Sequence, residues 1–238
     1  MKILIIGYGK MGKSIEAIAR DRGHQIAGTI DLDNYSSLKD TDPATVDVAI
    51  EFSQPDAAFE NIKCCLEKGI KVLSGTTGWL SRKQDIESLC HQHQGTFFYA
   101  SNYSIGVNLF FRLNRYLANL IKDYTQYKVE ITEIHHTEKK DAPSGTALTL
   151  AEDIINANPR IRSWEGQGGE SEDKLGIISK RMGTVPGTHI IDYVSDIDQI
   201  EIKHEAFSRK GFAIGAVLVA EWLKDRKGIL SMQDFLEI

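Results

Sequence analysis

Residues 134 to 147 read Ile-His-His-Thr-Glu-Lys-Lys-Asp-Ala-Pro-Ser-Gly-Thr-Ala. The segment puts two imidazoles and two ammonium groups directly before a helix entrance. Histidine is the side chain whose ordinary titration falls near neutral pH, so a pair of them suits proton transfer. Pro143, Ser144, Gly145 and Thr146 have the types that open a helix, and a helix N-terminus offers free N–H groups to an anion. A carboxylated substrate could lie across the hydroxyls of Ser144 and Thr146 and the N–H of Gly145, with Lys139 adding charge. Neighbouring side chains of a regular strand point oppositely, so His135 and His136 need not share one role. Taken singly, the histidines read as surface residues, Lys139 and Lys140 as solvated, and Ser144 as a plain helix cap. Their coincidence in one segment favours a site. A metal centre is disfavoured, because no third ligand lies at a suitable spacing and adjacent histidines chelate poorly.

A second constellation opens the chain. Gly7-Tyr8-Gly9-Lys10-Met11-Gly12 follows the apolar run Lys2 to Ile6 and leads into a helix, and Asp31 comes 19 positions after Gly12. In a dinucleotide site, Gly7 permits the tight turn, Gly9 lets backbone approach the pyrophosphate, and Gly12 allows close helix–sheet packing. Asp31 would accept hydrogen bonds from the adenine-ribose hydroxyls. The competing reading is an ordinary Gly-rich turn with Asp31 as a solvated strand end. Asp31 is followed by Leu32 rather than by a basic residue, which favours NADH over NADPH. Lys10 and Lys13 weaken that preference, since either could reach a phosphate. Two further loops, Gly75-Thr76-Thr77-Gly78 and Ala100-Ser101-Asn102-Tyr103, stand at carboxyl ends of strands, where cofactors bind in open α/β sheets. Their small polar groups suit the nicotinamide half, and turn chemistry explains them equally well.

The elements that must position these residues follow from periodicity. Strands are expected at Lys2–Ile6, Gln25–Ile30, Val46–Ile50, Lys71–Leu73 and Thr96–Ala100, with helices between them; Ser81 is expected to cap the helix running through Cys90. The pattern predicts a doubly wound parallel sheet, a Rossmann-like dinucleotide-binding domain. Residues 32–42 read as a loop. After Tyr103 the character changes. Val107–Ile121 reads as a long, well-buried helix, Tyr127–Thr132 as a strand with one wet face, and Ser144–Ala157 as a helix. A loop is expected over 158–175. An antiparallel meander through Ile190–Val194 and Ile200–Ala206 follows, then a helix over Gly211–Trp222. The expected organisation is a dinucleotide-binding domain at 1–103 and 213–238, with an α+β substrate-binding and oligomerisation domain at 104–212 built on a mixed or antiparallel open sheet.

Composition bounds the function. The chain has 238 residues, 42% hydrophobic and 26% charged, enough for one large or two small domains. Twenty-eight basic against 33 acidic residues give a net charge of −5, which argues against a general grip on nucleic acid. Three cysteines, Cys64, Cys65 and Cys90, lack metal-ligand spacing and read as reduced thiols. No apolar run reaches membrane-spanning length. A cytoplasmic location is expected.

The segment Glu133-Ile134-His135-His136, followed by Lys139 and Asp141-Ala142-Pro143-Ser144-Gly145-Thr146-Ala147, resembles the signature of the 4-hydroxy-tetrahydrodipicolinate reductase (dihydrodipicolinate reductase) family. The similarity extends along the chain through Glu51-Phe52-Ser53-Gln54-Pro55, Gly75-Thr76-Thr77-Gly78, Asn102 to Asn108, and His204 to Arg209. The resemblance implies NAD(P)H-dependent reduction of a cyclic, unsaturated dicarboxylate in lysine and diaminopimelate biosynthesis. It implies His135 as proton donor or acceptor, Lys139 as proton donor, and His136 as a substrate contact. Ser144, Gly145 and Thr146 match its carboxylate-binding segment. It further implies a homotetramer built through the second sheet. The chain departs from the family pattern in a shorter glycine loop, a compressed stretch after Asp31, Tyr103 where Phe is frequent, and Gly187-Thr188-His189 in place of Gly-Glu-His. Two alternatives remain: an aspartate-dehydrogenase-like enzyme, or a non-catalytic NAD-binding sensor.

Overall fold

The computed structural model describes residues 1–166, 171, 173–208 and 210–237, which divide into two compact units, 1–105 with 210–238 and 106–209. Residues 167–170 and 172 of the loop expected over 158–175, and Arg209 of the family motif, lie outside the described residues.

The elements of the first unit begin with β1 (Lys2–Ile6), α1 (Lys10–Asp21), β2 (Gln25–Ile30), α2 (Ser37–Asp40), β3 (Val48–Glu51), α3 (Pro55–Glu67), β4 (Val72–Ser74), α4 (Lys83–Gln92) and β5 (Thr96–Tyr99). The chain then runs through α5 (Ile105–Ile121), β6 (Lys128–His135), α6 (Gly145–Ala157), β7 (Ser163–Gly166), β8 (Lys174–Arg181), β9 (Gly187–Val194) and β10 (Gln199–Ala206). It closes with α7 (Lys210–Leu223), β11 (Gly228–Leu230) and α8 (Met232–Phe235).

The first unit is a six-stranded parallel sheet in the order β11-β5-β4-β3-β1-β2. Its strands are apolar at successive positions because both faces are covered. Ile3 and Ile5 pack with Ile15 and Ala19 of α1 and Val217 and Ala220 of α7. Leu4 and Ile6 pack on the other face with Ala58 and Ile62 of α3 and Ile86 of α4. The strand order reverses between β1 and β3, which opens a crevice at their carboxyl ends. This is the expected Rossmann-like sheet with one strand more, since the three-residue β11 gave no periodic signal.

The second unit is a five-stranded mixed sheet, β10-β9-β6-β8-β7. The meander holds, with β9 antiparallel to both β10 and β6, while β8 and β7 add in parallel. Phe110, Ala118 and Ile121 of α5 and Leu150 and Ile154 of α6 pack with Ile131, Ile177, Ile191 and Tyr193 of the sheet.

Four local expectations are corrected. Residues 32–42 are not simple loop: a 3-10 turn at Leu32–Asn34 precedes α2, whose Leu38 is buried. Ser81 does not cap α4, because a 3-10 turn at Leu80–Arg82 runs directly into the helix and makes Arg82 its N-cap. Helix α5 is buried on one stripe only, Val107, Phe110, Asn114, Ala118 and Ile121, leaving Leu109, Leu113, Tyr116 and Leu120 exposed on this chain. The segment 158–175 contains β7, an edge strand. No helix among the described residues is long and apolar enough to cross a membrane.

Candidate active site

The Gly-rich turn of the first unit shows three glycines with three separate reasons. Gly7 sits at φ +90, and a Cβ there would fall 2.1 Å from the Phe52 carbonyl oxygen. Gly12 lies so close under the turn that a Cβ would be 2.2 Å from the carbonyl oxygen of Gly7. Gly9 differs: a Cβ there would meet no atom of the described residues within 4 Å, and it caps α1 with no side-chain hydrogen bond. An uncapped helix start beside open space, with no acid in the first turn, fits a pyrophosphate. Lys10 is exposed beside it, and Met11 is partly buried against the sheet. Tyr8 donates its hydroxyl to Glu16, with the Lys13 ammonium 5.8 Å from its ring centre.

Asp31 stands at the end of β2 and is exposed. Its Oδ1 accepts from the Leu32 N–H at 2.9 Å, and its own N–H donates to Asn34 Oδ1 at 2.7 Å. The carboxylate therefore builds the turn that presents it, a role its sequence position did not reveal.

The two later loops are partly structural. Thr76 is buried, donating its hydroxyl to Glu51 Oε1 and accepting from the Ser53 N–H, both at 2.9 Å. Gly75 lies under the Phe52 ring, which a Cβ would meet at 2.2 Å, while Thr77 is exposed. Tyr103 is a core residue: it is 2% exposed, donates to the Ser74 carbonyl at 2.8 Å, and packs against Phe52 and Phe98. Its ring is spent on holding the loop. Ala100 is buried, Ser101 is exposed, and Asn102 Oδ1 accepts from the Ser104 N–H at 2.8 Å. Sequence reasoning missed the hub beneath these loops. Glu51 is fully buried at the end of β3 and accepts from Ser53, Ser74 and Thr76. Its signals in the sequence are an acid ending an apolar strand and its place in the Glu51-Phe52-Ser53-Gln54-Pro55 segment of the family similarity.

In the second unit the His-His segment ends β6. His135 turns inward and is 8% exposed, whereas His136 lines a cleft of about 320 Å³ with Thr137, Glu138, Gly183, Thr184 and Pro186. His136 follows the last residue of β6, and the two imidazoles have different surroundings. Period two places Glu133 on the same face as His135, and its Oε2 is hydrogen-bonded to His135 Nδ1. The other oxygen of Glu133 accepts from Arg181 at 2.9 Å. Burial alone would raise the Glu133 carboxyl, but hydrogen bonds from His135, Ser179 and Arg181 outweigh it and hold the group down to about 2.

His189 completes the cluster, its ring 5.1 Å from that of His135. Burial first, then the neighbouring His135, push its titration down to about 3, so it stays neutral at physiological pH. Its Nε2 shares a hydrogen bond with Ser144 Oγ at 3.2 Å. Ser144 is the N-cap of α6 and accepts from the Ala147 N–H at 3.2 Å. Beyond it, Gly145 is exposed, a Cβ there would meet no atom of the described residues within 4 Å, and Thr146 is half-buried. First-turn N–H groups have no carbonyl partner within their own helix, so this start is open to a carboxylate. Lys139 Nζ is held by both oxygens of Asp141 at 2.8 Å.

Residues 1–103 match the pattern described as dihydrodipicolinate reductase, N-terminus, and residues 106–236 match dihydrodipicolinate reductase, C-terminus. The chain belongs to the dihydrodipicolinate reductase family. It is 47% identical over 236 residues to the 4-hydroxy-tetrahydrodipicolinate reductase of Christiangramia forsetii, covering 99% of this chain and 98% of that one. It is 32% identical over 251 residues to the enzyme of the same name from Methanoregula boonei, covering 99% and 97%. The fold is similar to a dipicolinate-bound dihydrodipicolinate reductase from Paenisporosarcina sp. TG-14, with TM-score 0.77, 22% identity and 99% of each chain covered.

Within this family setting, one ground of the sequence reading needs correction. A third ligand-type group does exist: donor atoms of Glu133, His135 and His189 lie within 4.8 Å of one another. The β6–β9 pairing supplies it by setting His189 opposite Glu133. What opposes a cation here is charge. Arg181 already occupies one oxygen of Glu133, and His135 occupies the other. Glu133, Arg181 and His189 are the residues that sequence reasoning left without a role. Glu133 and His189 appear there only as members of the family pattern, and Arg181 carries no sequence signal at all.

Proposed function

We propose that this chain reduces 4-hydroxy-tetrahydrodipicolinate to tetrahydrodipicolinate in lysine and diaminopimelate biosynthesis. The observation that carries the reading is the His135–Glu133 pair beside Lys139 and the open start of α6, in a chain matched end to end by reductase relatives. The net change consumes one hydride and one proton and releases one water. NAD(P)H, bound at the Gly7–Gly12 turn, supplies the hydride when present. His135 supplies the proton, Lys139 stabilises developing charge, and Ser144, Gly145, Thr146 and His136 hold the dicarboxylate.

Oxidation of reduced cofactor in a coupled assay that generates the unstable cyclic substrate in place tests this reading. Turnover supports it. Activity on open-chain keto acids instead would favour an aspartate-dehydrogenase-like enzyme, and cofactor binding without turnover on either substrate class would favour a sensor. Competition by dipicolinate, the ligand of the Paenisporosarcina reductase, probes the carboxylate site.

NADH is the preferred cofactor in this reading. Asp31 would meet a 2′-phosphate with like charge, and Leu32, 82% exposed, offers no compensating cation. A higher kcat/KM with NADPH would overturn the preference. The exposed Leu109, Leu113 and Leu120 of α5 and Ile200 of β10 are apolar side chains of the second unit. They suit its burial in a homotetramer, which light scattering on the purified chain would test.

A further inference from the structure

Histidine can place its single neutral proton on either ring nitrogen, and a proton donor works only if the correct nitrogen faces its target. In this chain the choice is made from one side. Glu133 is fully buried, and its Oε2 engages His135 Nδ1. The opposite nitrogen, Nε2, faces Gly187, where an added Cβ would stand 3.1 Å away. A glycine at that position therefore leaves the Nε2 side of the ring uncrowded.

Glu133 is itself held. Arg181 donates to its Oε1 at 2.9 Å and to the Asp141 carbonyl at 2.6 Å, and reaches the Lys139 carbonyl at 3.4 Å. One guanidinium thus ties the carboxylate behind His135 to the backbone of the loop that carries Lys139. A planar, permanently charged fork suits this work better than an ammonium group. The other neighbour of His135 leaves the choice of tautomer to Glu133: His189 meets it edge to face, and its Nδ1 finds no hydrogen-bond partner among the described residues.

We infer that Glu133 is a positioning residue that keeps one His135 proton on Nδ1, so that the protonated ring carries its transferable proton on Nε2, gives it to the substrate and returns to the neutral Nδ1–H tautomer, and that Arg181 clamps Glu133 and the Lys139 loop into that arrangement. The inference deepens the proposed function, since it rests on His135 as the proton donor. The arrangement parallels the carboxylate-imidazole pairs of hydrolases, where the carboxylate sets tautomer and orientation without moving the proton itself.

The test combines kinetics with 15N NMR of the histidine ring nitrogens in the full chain. In the unmodified protein, neutral His135 is expected to carry its proton on Nδ1. Glu133→Leu should release that tautomer toward Nε2 and lower kcat about a hundredfold, with KM changed less than about threefold. Glu133→Leu alone leaves Arg181 charged and unpaired, so the double variant E133L/R181M is made beside it. Replacing a buried ion pair by apolar groups of similar volume is often neutral for folding. Glu133→Gln keeps an acceptor of the same reach, and should hold the Nδ1 tautomer and retain more turnover than either. An Nε2–H tautomer in the unmodified protein would overturn the inference. So would an unchanged tautomer in the folded E133L/R181M variant, or full turnover in a variant whose tautomer has switched. If His135→Gln itself retains full kcat, the proton-donor reading fails, while the tautomer measurement still decides what Glu133 does to His135.

Discussion

His135 and Arg181 stand opposite each other in the parallel β6–β8 register, and they grip different oxygens of one carboxylate, Glu133. The three residues come from two strands more than forty positions apart in sequence, yet they form a single charge-balanced unit at one end of a sheet. The surroundings of His135 therefore depend on strand pairing as much as on the His-His motif itself.

Replacing His135 by Gln should lower kcat by about a hundredfold or more while KM moves only a few-fold. The amide keeps the size of the side chain and its hydrogen bonding but cannot deliver a proton. Steady-state kinetics measure the split, and unchanged turnover would remove His135 from the reaction.

Gly145→Val separates binding from folding. A Cβ at 145 would meet nothing among the described residues within 4 Å, so the fold should tolerate the change. Bulk at the start of α6 should nevertheless block a carboxylate from its N–H groups, raising KM at least tenfold (about 1.4 kcal/mol) with the melting temperature almost unchanged. A normal KM would place the carboxylate elsewhere.

Two glycines of the first unit should respond in opposite ways. Gly12→Ala forces a Cβ to 2.2 Å from the carbonyl of Gly7 and should destabilise the chain by about 1–3 kcal/mol. Gly9→Ala has open space and should leave stability within about 0.5 kcal/mol while weakening cofactor binding. Urea unfolding and fluorescence titration with NADH read the two effects. Equal loss of stability in both variants would contradict this division of labour.

Acid should destabilise the chain in two stages. The folded His189 titrates at about 3 against an ordinary 6.5, so between those values the unfolded chain binds a proton that the folded chain refuses. Stability then falls as pH drops below about 6.5, by about 1.4 kcal/mol per pH unit from this group. Glu133, held down to about 2 against an ordinary 4.5, contributes stability that is present above 4.5 and lost as pH falls toward 2. Urea midpoints measured from pH 7 to 4 should show the first stage, and His189→Gln should flatten it. A slope that His189→Gln leaves intact would assign the acid sensitivity to other groups, His204 among them, whose titration burial also lowers.

Much of this protein was legible in the order of its residues. The apolar run Lys2–Ile6 announces a sheet covered on both faces, because no half-solvated strand keeps that pattern. The glycine spacing after Ile6 and the segment from His135 to Ala147 are local signals: a tight turn and a helix start each need particular residue types at neighbouring positions. Alternation along β6 was enough to put Glu133 and His135 on one face. Tertiary structure decided what local patterns cannot encode. Tyr103 lies beside a cofactor-type loop in sequence, but packing against Phe52 and Phe98 makes it core. Asp31 looks like a free carboxylate until its own turn closes on it. Arg181 carries no motif and the Gly187-Thr188-His189 pattern assigns His189 no partner; both reach Glu133 and His135 only because β8 and β9 flank β6 in one particular register. Register is fixed by the burial of a whole strand face, a cooperative property of many side chains, so the charge balance around His135 exists only once the sheet has formed.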